Sequence, residues 1–264
     1  MTETSDPGDL RGRCVVVTRP AQQAAALLDA LRELGAEPLF FPVIEILPLT
    51  DATPLQALAD RLADYAIAFF VSANAVDQAL AVIPRAKWPA SVRVATVGPG
   101  SARALQAHGF DDVMLPSSGF DSEAVLSMPA MQAATISGKR VLILRGDGGR
   151  ELLADSLRQR GARVDVQTCY KRRQAVTDPS DLLARFDAGR LDALSFTSSE
   201  GARNFAEILD RHDAARAGKV LATLPCFVPH PRIEEHLRTL GAQQIVLTGA
   251  GNAALISALS HYFR

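Results

Sequence analysis

The chain has little from which to build a metal centre or a disulfide framework. Its three cysteines, Cys14, Cys169 and Cys226, are odd in number, far apart and without a CxxC pair. That usage fits a reducing compartment and three small buried hydrophobic side chains. The five histidines are scattered, with no HExxH and no Cys/His cluster, so no metal site is expected. There is no G-x-S-x-G elbow and no GK[ST] phosphate loop, which argues against a serine hydrolase and against nucleotide hydrolysis. A formal net charge of -1 gives no global pull toward nucleic acid or an anionic membrane. Any anion must be held by local arrangement. No apolar run approaches the about 20 residues that a membrane helix needs. The opening MTETSDPGDL is polar and acidic and reads as a loose tail, not a signal peptide.

What is present is a repeat. The 264 residues, 48% hydrophobic and 22% charged, suffice for two globular domains of similar size. The stretch VLILRGDGGRELLADSLRQRGA, from Val141 to Ala162, aligns without a gap on VVVTRPAQQAAALLDALRELGA at an offset of 126 residues. Arg145 falls on Arg19, Leu153 on Leu27, Leu157 on Leu31 and Gly161 on Gly35. Each copy has a β-branched run, an arginine at the strand's carboxyl end, apolar residues at i, i+3, i+4 spacing and a glycine stop. That is half of a βαβ unit, twice. LDALSFTSSEGARNF repeats YAIAFFVSANAVDQA at the same offset, and past it the offset becomes 132, which places six extra residues near RHDAARAGK.

Further strands and helices follow the same scheme. A strand is predicted over Cys14 to Thr18 with a helix from Gln22 to Leu34, and a strand over Val92 to Val97 with a helix from Ser101 to His108. A short strand is predicted at Val113 to Leu115. Helices are predicted from Pro54 to Leu62, with proline in the first turn, and from Ser122 to about Met128. LFFPVIEILPL, bracketed by Pro42 and Pro48, and DVQTCYKRRQA, Asp165 to Ala175, read as extended connectors at equivalent places in the two copies. They are candidate crossing strands of a hinge. Strands alternating with helices across short glycine turns imply parallel sheets covered by helices. The fold class is α/β, with two similar parallel-sheet domains and a ligand cleft where the strands' carboxyl ends meet.

Several residues at those strand ends can hold an anion. The loop Arg145-Gly146-Asp147-Gly148-Gly149-Arg150 presents backbone N–H groups at a helix start; plain turn chemistry explains it equally well. Gly98-Pro99-Gly100 begins a G-x-G pattern, but Arg103 stands in place of the third glycine, so a dinucleotide is not expected. Ser72 and Asn74, matched by Thr197, Ser198 and Ser199 in the second copy, offer short donors that helix capping alone would also account for. Tyr170 sits in the second connector ahead of Lys171, Arg172 and Arg173. It is either a packing residue or a proton donor, since a phenol of ordinary pKa about 10 is protonated at neutral pH.

VTRP, FVSANAV, VGPGSARAL, RGDGGRELLADSLRQRGA followed by CYKRR, and FTSSEGARNF together resemble uroporphyrinogen-III synthase. The likeness runs in order over essentially the whole chain after the tail. It implies two α/β domains joined by a two-stranded β linker, with residues 1–41 and 173–264 forming one discontinuous domain and 42–172 the other. The repeat alone would cut the chain near residue 140. The implied enzyme is a lyase of haem-type tetrapyrrole (porphyrin) biosynthesis. It takes hydroxymethylbilane, loses the terminal hydroxyl as water and closes the macrocycle with inversion of the last pyrrole ring, through a spiro-pyrrolenine. The resemblance implies no cofactor, no nucleic-acid or membrane partner, and a cytoplasmic monomer that receives its substrate from the preceding pathway enzyme.

Tyr170 matches the family's linker tyrosine, proposed to help the hydroxyl leave. The substrate's eight carboxylates would be met by Arg19, Ser72, Asn74, Gly98, Ser101, Arg145, Gly146, Gly148, Thr197, Ser198, Ser199 and Arg232. Two positions depart from the family pattern: Ser101 stands where many members have threonine, and Arg232-Ile233 where others have a threonine pair. Two other classes compete. A two-domain glycosyltransferase lacks a convincing carboxylate for a nucleotide ribose. A hinged two-domain binding module without catalysis has no secretory signal or DNA-binding helix pair to favour it.

Overall fold

The structure, a computed structural model, describes residues 10–148 and 151–264. The tail over 1–9 and the loop residues Gly149 and Arg150 lie outside the described residues. In chain order the first elements are β1 (Cys14–Val17), α1 (Ala21–Glu33), β2 (Glu37–Phe40), β3 (Ile44–Pro48), α2 (Thr53–Gln56), β4 (Ile67–Phe70) and α3 (Ala73–Val82). β5 (Arg93–Thr96), α4 (Pro99–Ala107), β6 (Val113–Met114), α5 (Ser122–Ser127), α6 (Ala133–Ile136), β7 (Arg140–Gly146), α7 (Leu152–Gln159) and β8 (Arg163–Gln174) follow. The chain ends with α8 (Ser180–Asp187), β9 (Ala193–Ser195), α9 (Ser199–Thr223), β10 (Cys226–Val228), α10 (Pro231–Thr239), β11 (Ile245–Leu247) and α11 (Asn252–Tyr262).

Two compact units result: residues up to Glu45 with Arg173–Arg264, and Ile46–Arg172. The first contains a five-stranded sheet in the order β11-β10-β9-β1-β2. The second is built on a six-stranded sheet in the order β3-β8-β7-β4-β5-β6. The repeat offsets match β1 with β7, β2 with β8, β9 with β4, β10 with β5 and β11 with β6, so five strands of each sheet are stacked in the same spatial order. The pairings resolved in register are parallel: β1 with β2 and β9, and β7 with β4 and β8. Each unit is therefore assembled across the repeat, taking the latter strands of one copy and the first strands of the other.

The two cores are homologous in detail. On α1 the buried stripe is Ala24, Leu27, Leu28 and Leu31, spaced for one helical face. On α7 the counterparts Leu153, Ala154 and Leu157 are buried against Phe69 and Ile143. In the first unit the stripe packs with Val15, Val17 and Phe227. Gly35 and Gly161 end these helices with φ of 78° and 86°, a conformation that side chains with a Cβ disfavour. All three cysteines are buried, and burial pushes the thiols of Cys169 and Cys226 up to about 12. They are packing residues, protected from thiolate chemistry. No helix among the described residues is long and apolar enough to cross a membrane.

Some local expectations are corrected. The first connector is two strands in two sheets: β2 lies on an edge of one, and β3, after Pro42, on an edge of the other. The predicted helix over Pro54 to Leu62 divides into α2 and a separate 3-10 turn over Ala59–Asp64. Pro99 and Gly100 already belong to the first turn of α4, with Gly98 as its N-cap, because proline at the first helical position needs no N–H partner. The extra residues near RHDAARAGK are helical, within α9, which is interrupted only where Asp213 has φ -162° and ψ 95°. There the Asp213 carboxylate accepts from the Arg216 backbone N–H at 3.1 Å and its Nε at 2.8 Å, restarting the helix.

The topology carries a prediction about fragments. A cut between Ser137 and Lys139 separates β7 and β8 from β4, β5 and β6, and β1 and β2 from β9, β10 and β11. Each piece exposes unpaired strand edges and an apolar face. Neither is expected to melt cooperatively alone; two fragments with sharp independent transitions would contradict the assembly.

Candidate active site

In the second unit the carboxyl ends of β4, β5 and β7 open onto a cavity of about 220 Å³. Val71, Val97, Ile143, Leu153 and Ala154 make its apolar wall, and Arg145, Arg172, Ser122 and Tyr170 its polar one. Tyr170 is 4% exposed. It is placed by an irregularity in the β7–β8 ladder: Arg145 pairs with Thr168 but Gly146 with Tyr170, so Cys169 is the extra residue of a bulge. Gly146 is what lets the ring lie there. A Cβ at Gly146 would fall 2.6 Å from Tyr170 Cζ and 3.0 Å from its Oη.

The Tyr170 hydroxyl lies 3.1 Å from Ser72 Oγ, and either oxygen can donate. Ser72 is itself the N-cap of α3, accepting from the Ala75 N–H at 3.1 Å. One serine thus fixes a helix start and a buried phenol together. The turn after β7 is clasped to β8. Asp147 N–H donates to Tyr170 O at 3.0 Å, and Asp147 Oδ1 accepts from Arg172 N–H at 2.7 Å. The Arg172 guanidinium also donates to Asp147 O at 2.9 Å. Arg145, mostly buried, pairs with Glu151 at 2.9 Å. The arrangement offers a held phenolic O–H and two guanidinium groups beside an apolar surface, which suits an organic polyanion better than a free phosphate.

Of the sequence-derived candidates, Tyr170, Arg145, Gly146 and Gly148 line this cavity, and Ser72 touches it through Tyr170. Gly98 caps α4 against Phe120, and Asn74 and Ser101 are buried within α3 and α4; none of the three is on its lining. The first unit holds the others. Arg19 and Thr197 line a smaller cavity of about 30 Å³ at the ends of β1, β9 and β10. Ser198 caps α9 by accepting from Gly201 N–H at 3.0 Å, and Ser199 Oγ donates to Arg232 O at 3.5 Å. Arg232 is exposed in the first turn of α10, whose N-cap is His230.

Sequence reasoning missed Arg172 and Ser122 as lining residues. Arg172 was reachable, since it is two residues from Tyr170 on the same strand and so shares its face. Ser122 reads as a cap in the sequence, but Asp121 caps α5, accepting from Ala124 N–H at 2.8 Å, and leaves Ser122 to the cavity.

A family model described as uroporphyrinogen-III synthase HemD matches residues 25–256. The chain belongs to the uroporphyrinogen-III synthase family. Uroporphyrinogen-III synthase of Salmonella typhimurium is 34% identical over 251 residues, 93% of this chain and 99% of that protein. The Escherichia coli K12 uroporphyrinogen-III synthase is 33% identical with the same coverage. Among solved structures, a mutant uroporphyrinogen III synthase from Thermus thermophilus superposes with a TM-score of 0.57 at 17% identity, covering 95% of this chain and 96% of that one. The Helicobacter pylori uroporphyrinogen-III synthetase gives 0.58 at 17% identity, covering 96% and 99%. These two likenesses establish the fold: the uroporphyrinogen-III synthase architecture of two parallel-sheet α/β domains.

Proposed function

We propose that the Tyr170 cavity is where this chain carries out the reaction of its family. The activity is that of a uroporphyrinogen-III synthase, a lyase that cyclises a linear tetrapyrrole. The observation that carries the assignment of the site is the buried Tyr170 hydroxyl, held 3.1 Å from Ser72 Oγ on the wall of a cavity that also bears Arg145 and Arg172. Tyr170 donates its proton to the terminal hydroxyl of hydroxymethylbilane, which departs as water and leaves an electrophilic carbon on the first pyrrole. The last pyrrole attacks it to give a spiro-pyrrolenine, and rearrangement closes the ring with that pyrrole inverted. The proton released at closure replaces the one Tyr170 gave, so the cycle needs no cofactor. While the phenolate exists, Ser72 Oγ–H can donate to it and the two guanidinium groups oppose its charge.

The substrate is reactive and closes unaided without inversion, so the main contribution required of the protein is orientation. The apolar wall takes a pyrrole face and the cations take carboxylates; Asn74, Gly98, Ser101, Ser198, Ser199 and Arg232 belong to the same proposal as further contacts of the extended substrate. A cytoplasmic monomer supplied by the preceding enzyme is part of this reading; of its three parts, the buried, unpaired thiols support only the reducing compartment. The test is incubation with enzymatically generated hydroxymethylbilane and separation of the isomers. The inverted isomer should dominate; a product mixture equal to that formed in buffer would reject the reading.

A further inference from the structure

At the end of the β7–β8 ladder two acceptors have changed places. In a regular parallel ladder a residue that donates its N–H to the neighbouring strand also accepts, through its own C=O, the N–H two residues further along that strand. Asp147 keeps the first of these bonds: its N–H donates to Tyr170 O at 3.0 Å. The second is replaced. Arg172 N–H donates to the carboxylate Oδ1 of Asp147 at 2.7 Å, and the carbonyl so released, Asp147 O, accepts from the Arg172 guanidinium at 2.9 Å. One residue thereby holds β8 by its N–H and its side chain, and the charged head of Arg172 by its carbonyl.

The passage from strand to helix does not itself call for a carboxylate here. The repeat offset puts Ala21 at the position of Asp147, so the first copy goes from β1 to α1 without one. In the second copy the chain turns away directly after Asp147 through Gly148, at φ 66°, while β8 runs on to Gln174. The guanidinium of Arg172 passes over that turn: a Cβ built on Gly148 would meet its Nη2 at 3.9 Å. Arg172, Gly148 and Tyr170 line the same cavity, so what Asp147 fixes is a cation on the cavity wall. A long cationic side chain left to itself would surrender rotamer freedom each time it bound an anion.

We infer that Asp147 is a positioning residue: its carboxylate takes the place of a backbone acceptor, which frees the Asp147 carbonyl to hold the Arg172 guanidinium ready for a carboxylate of the substrate. This rests on the proposed function and adds a residue that acts through Arg172 without touching substrate. The sign of its effect separates this role from simple charge. A carboxylate beside the site of a polyanion repels it, so removing that charge alone should lower KM. Removing the acceptor lets Arg172 N–H reclaim the carbonyl, sets the guanidinium loose and raises KM.

The experiment sets two neutral replacements against each other on the full chain. Asp147→Asn keeps an oxygen at Oδ1 and Asp147→Ala does not, while both lose the charge. KM for hydroxymethylbilane should be about twofold to tenfold higher in Asp147→Ala than in Asp147→Asn, the cost of immobilising one rotamer-rich side chain, with the larger part of the effect in KM and the product still inverted. In an Arg172→Gln background, where no guanidinium is left to position, the same pair should have equal KM. If Asp147→Ala does not fold, Asp147→Ser, whose oxygen stops one bond short of Oδ1, takes its place. Equal KM in the two single variants, a loss confined to kcat, or a difference that persists undiminished in the Arg172→Gln background would each overturn the positioning role. The last of these is what a merely structural carboxylate would give. A wild-type chain that makes no inverted isomer would instead defeat the proposed function itself.

Discussion

Gly146→Ala should cost turnover roughly a hundredfold or more, the size of effect that about 1 Å of misplacement in a reacting group can produce. The new methyl would stand 2.6 Å from Tyr170 Cζ and 2.7 Å from Cε2, inside any real carbon contact, so one of the two strands or the ring must move. The ring has little room to do so. It is 4% exposed, its hydroxyl is tied to Ser72, and its backbone carbonyl accepts from Asp147 N–H at 3.0 Å. Overpacking of this kind typically costs about 1–3 kcal/mol, so the melting temperature should fall as well. Steady-state turnover and a thermal melt on the same preparation check both parts. Wild-type turnover in Gly146→Ala would mean that the close crossing of Gly146 and Tyr170 has no catalytic consequence.

Tyr170→Phe separates chemistry from packing. The ring stays over Gly146 and only the oxygen is lost, while Ser72 keeps its role as the cap of α3 through Ala75. General-acid assistance is typically worth about 10²- to 10⁴-fold. Water in an open cavity and a reactive leaving group replace part of it, so turnover should fall by roughly tenfold to a few hundredfold. The product should remain the inverted isomer, because orientation rests on many contacts and not on this hydroxyl. The measurement is turnover with separation of the two isomers. A Phe variant as fast as wild type would leave Tyr170 a packing role only; one that makes the non-inverted isomer would show that the hydroxyl orients the last ring.

The local parts of the candidate site were legible because local chemistry specifies them. Ser72 and Ser198 stand before helices in both copies, and both accept from the N–H three residues on, as short hydroxyls at that position do. The arginines at the ends of β1 and β7 follow from strand-helix punctuation. Asn252, which accepts a hydrogen bond from Arg19, carried no such signal: it is 233 residues from Arg19, and nothing near either residue indicates the pair. Asn74 and Ser101 lie in the first turns of α3 and α4, and how deeply each is buried there was not legible in the sequence. The helical phase, not the residue type, decides which way such a side chain faces.

By itself the sequence determined that this protein is a twofold repeat of β-strand, turn and amphipathic helix, because period and punctuation are properties of neighbours along the chain. It therefore determined parallel sheets with helical cover, and strand ends rich in arginine and hydroxyl groups. Which strand lies beside which was decided only in three dimensions. Backbone hydrogen bonds between strands are indifferent to sequence, so nothing in β1 names β9 as its partner in preference to β4. The choice is made by whole sheets burying both faces at once and by a few distant clamps, such as Thr18 on Ser195 and Ser195 on Val16. The bulge that brings Tyr170 over Gly146 is of the same kind: glycine permits the crossing, but only the pairing of β7 with β8 makes it happen.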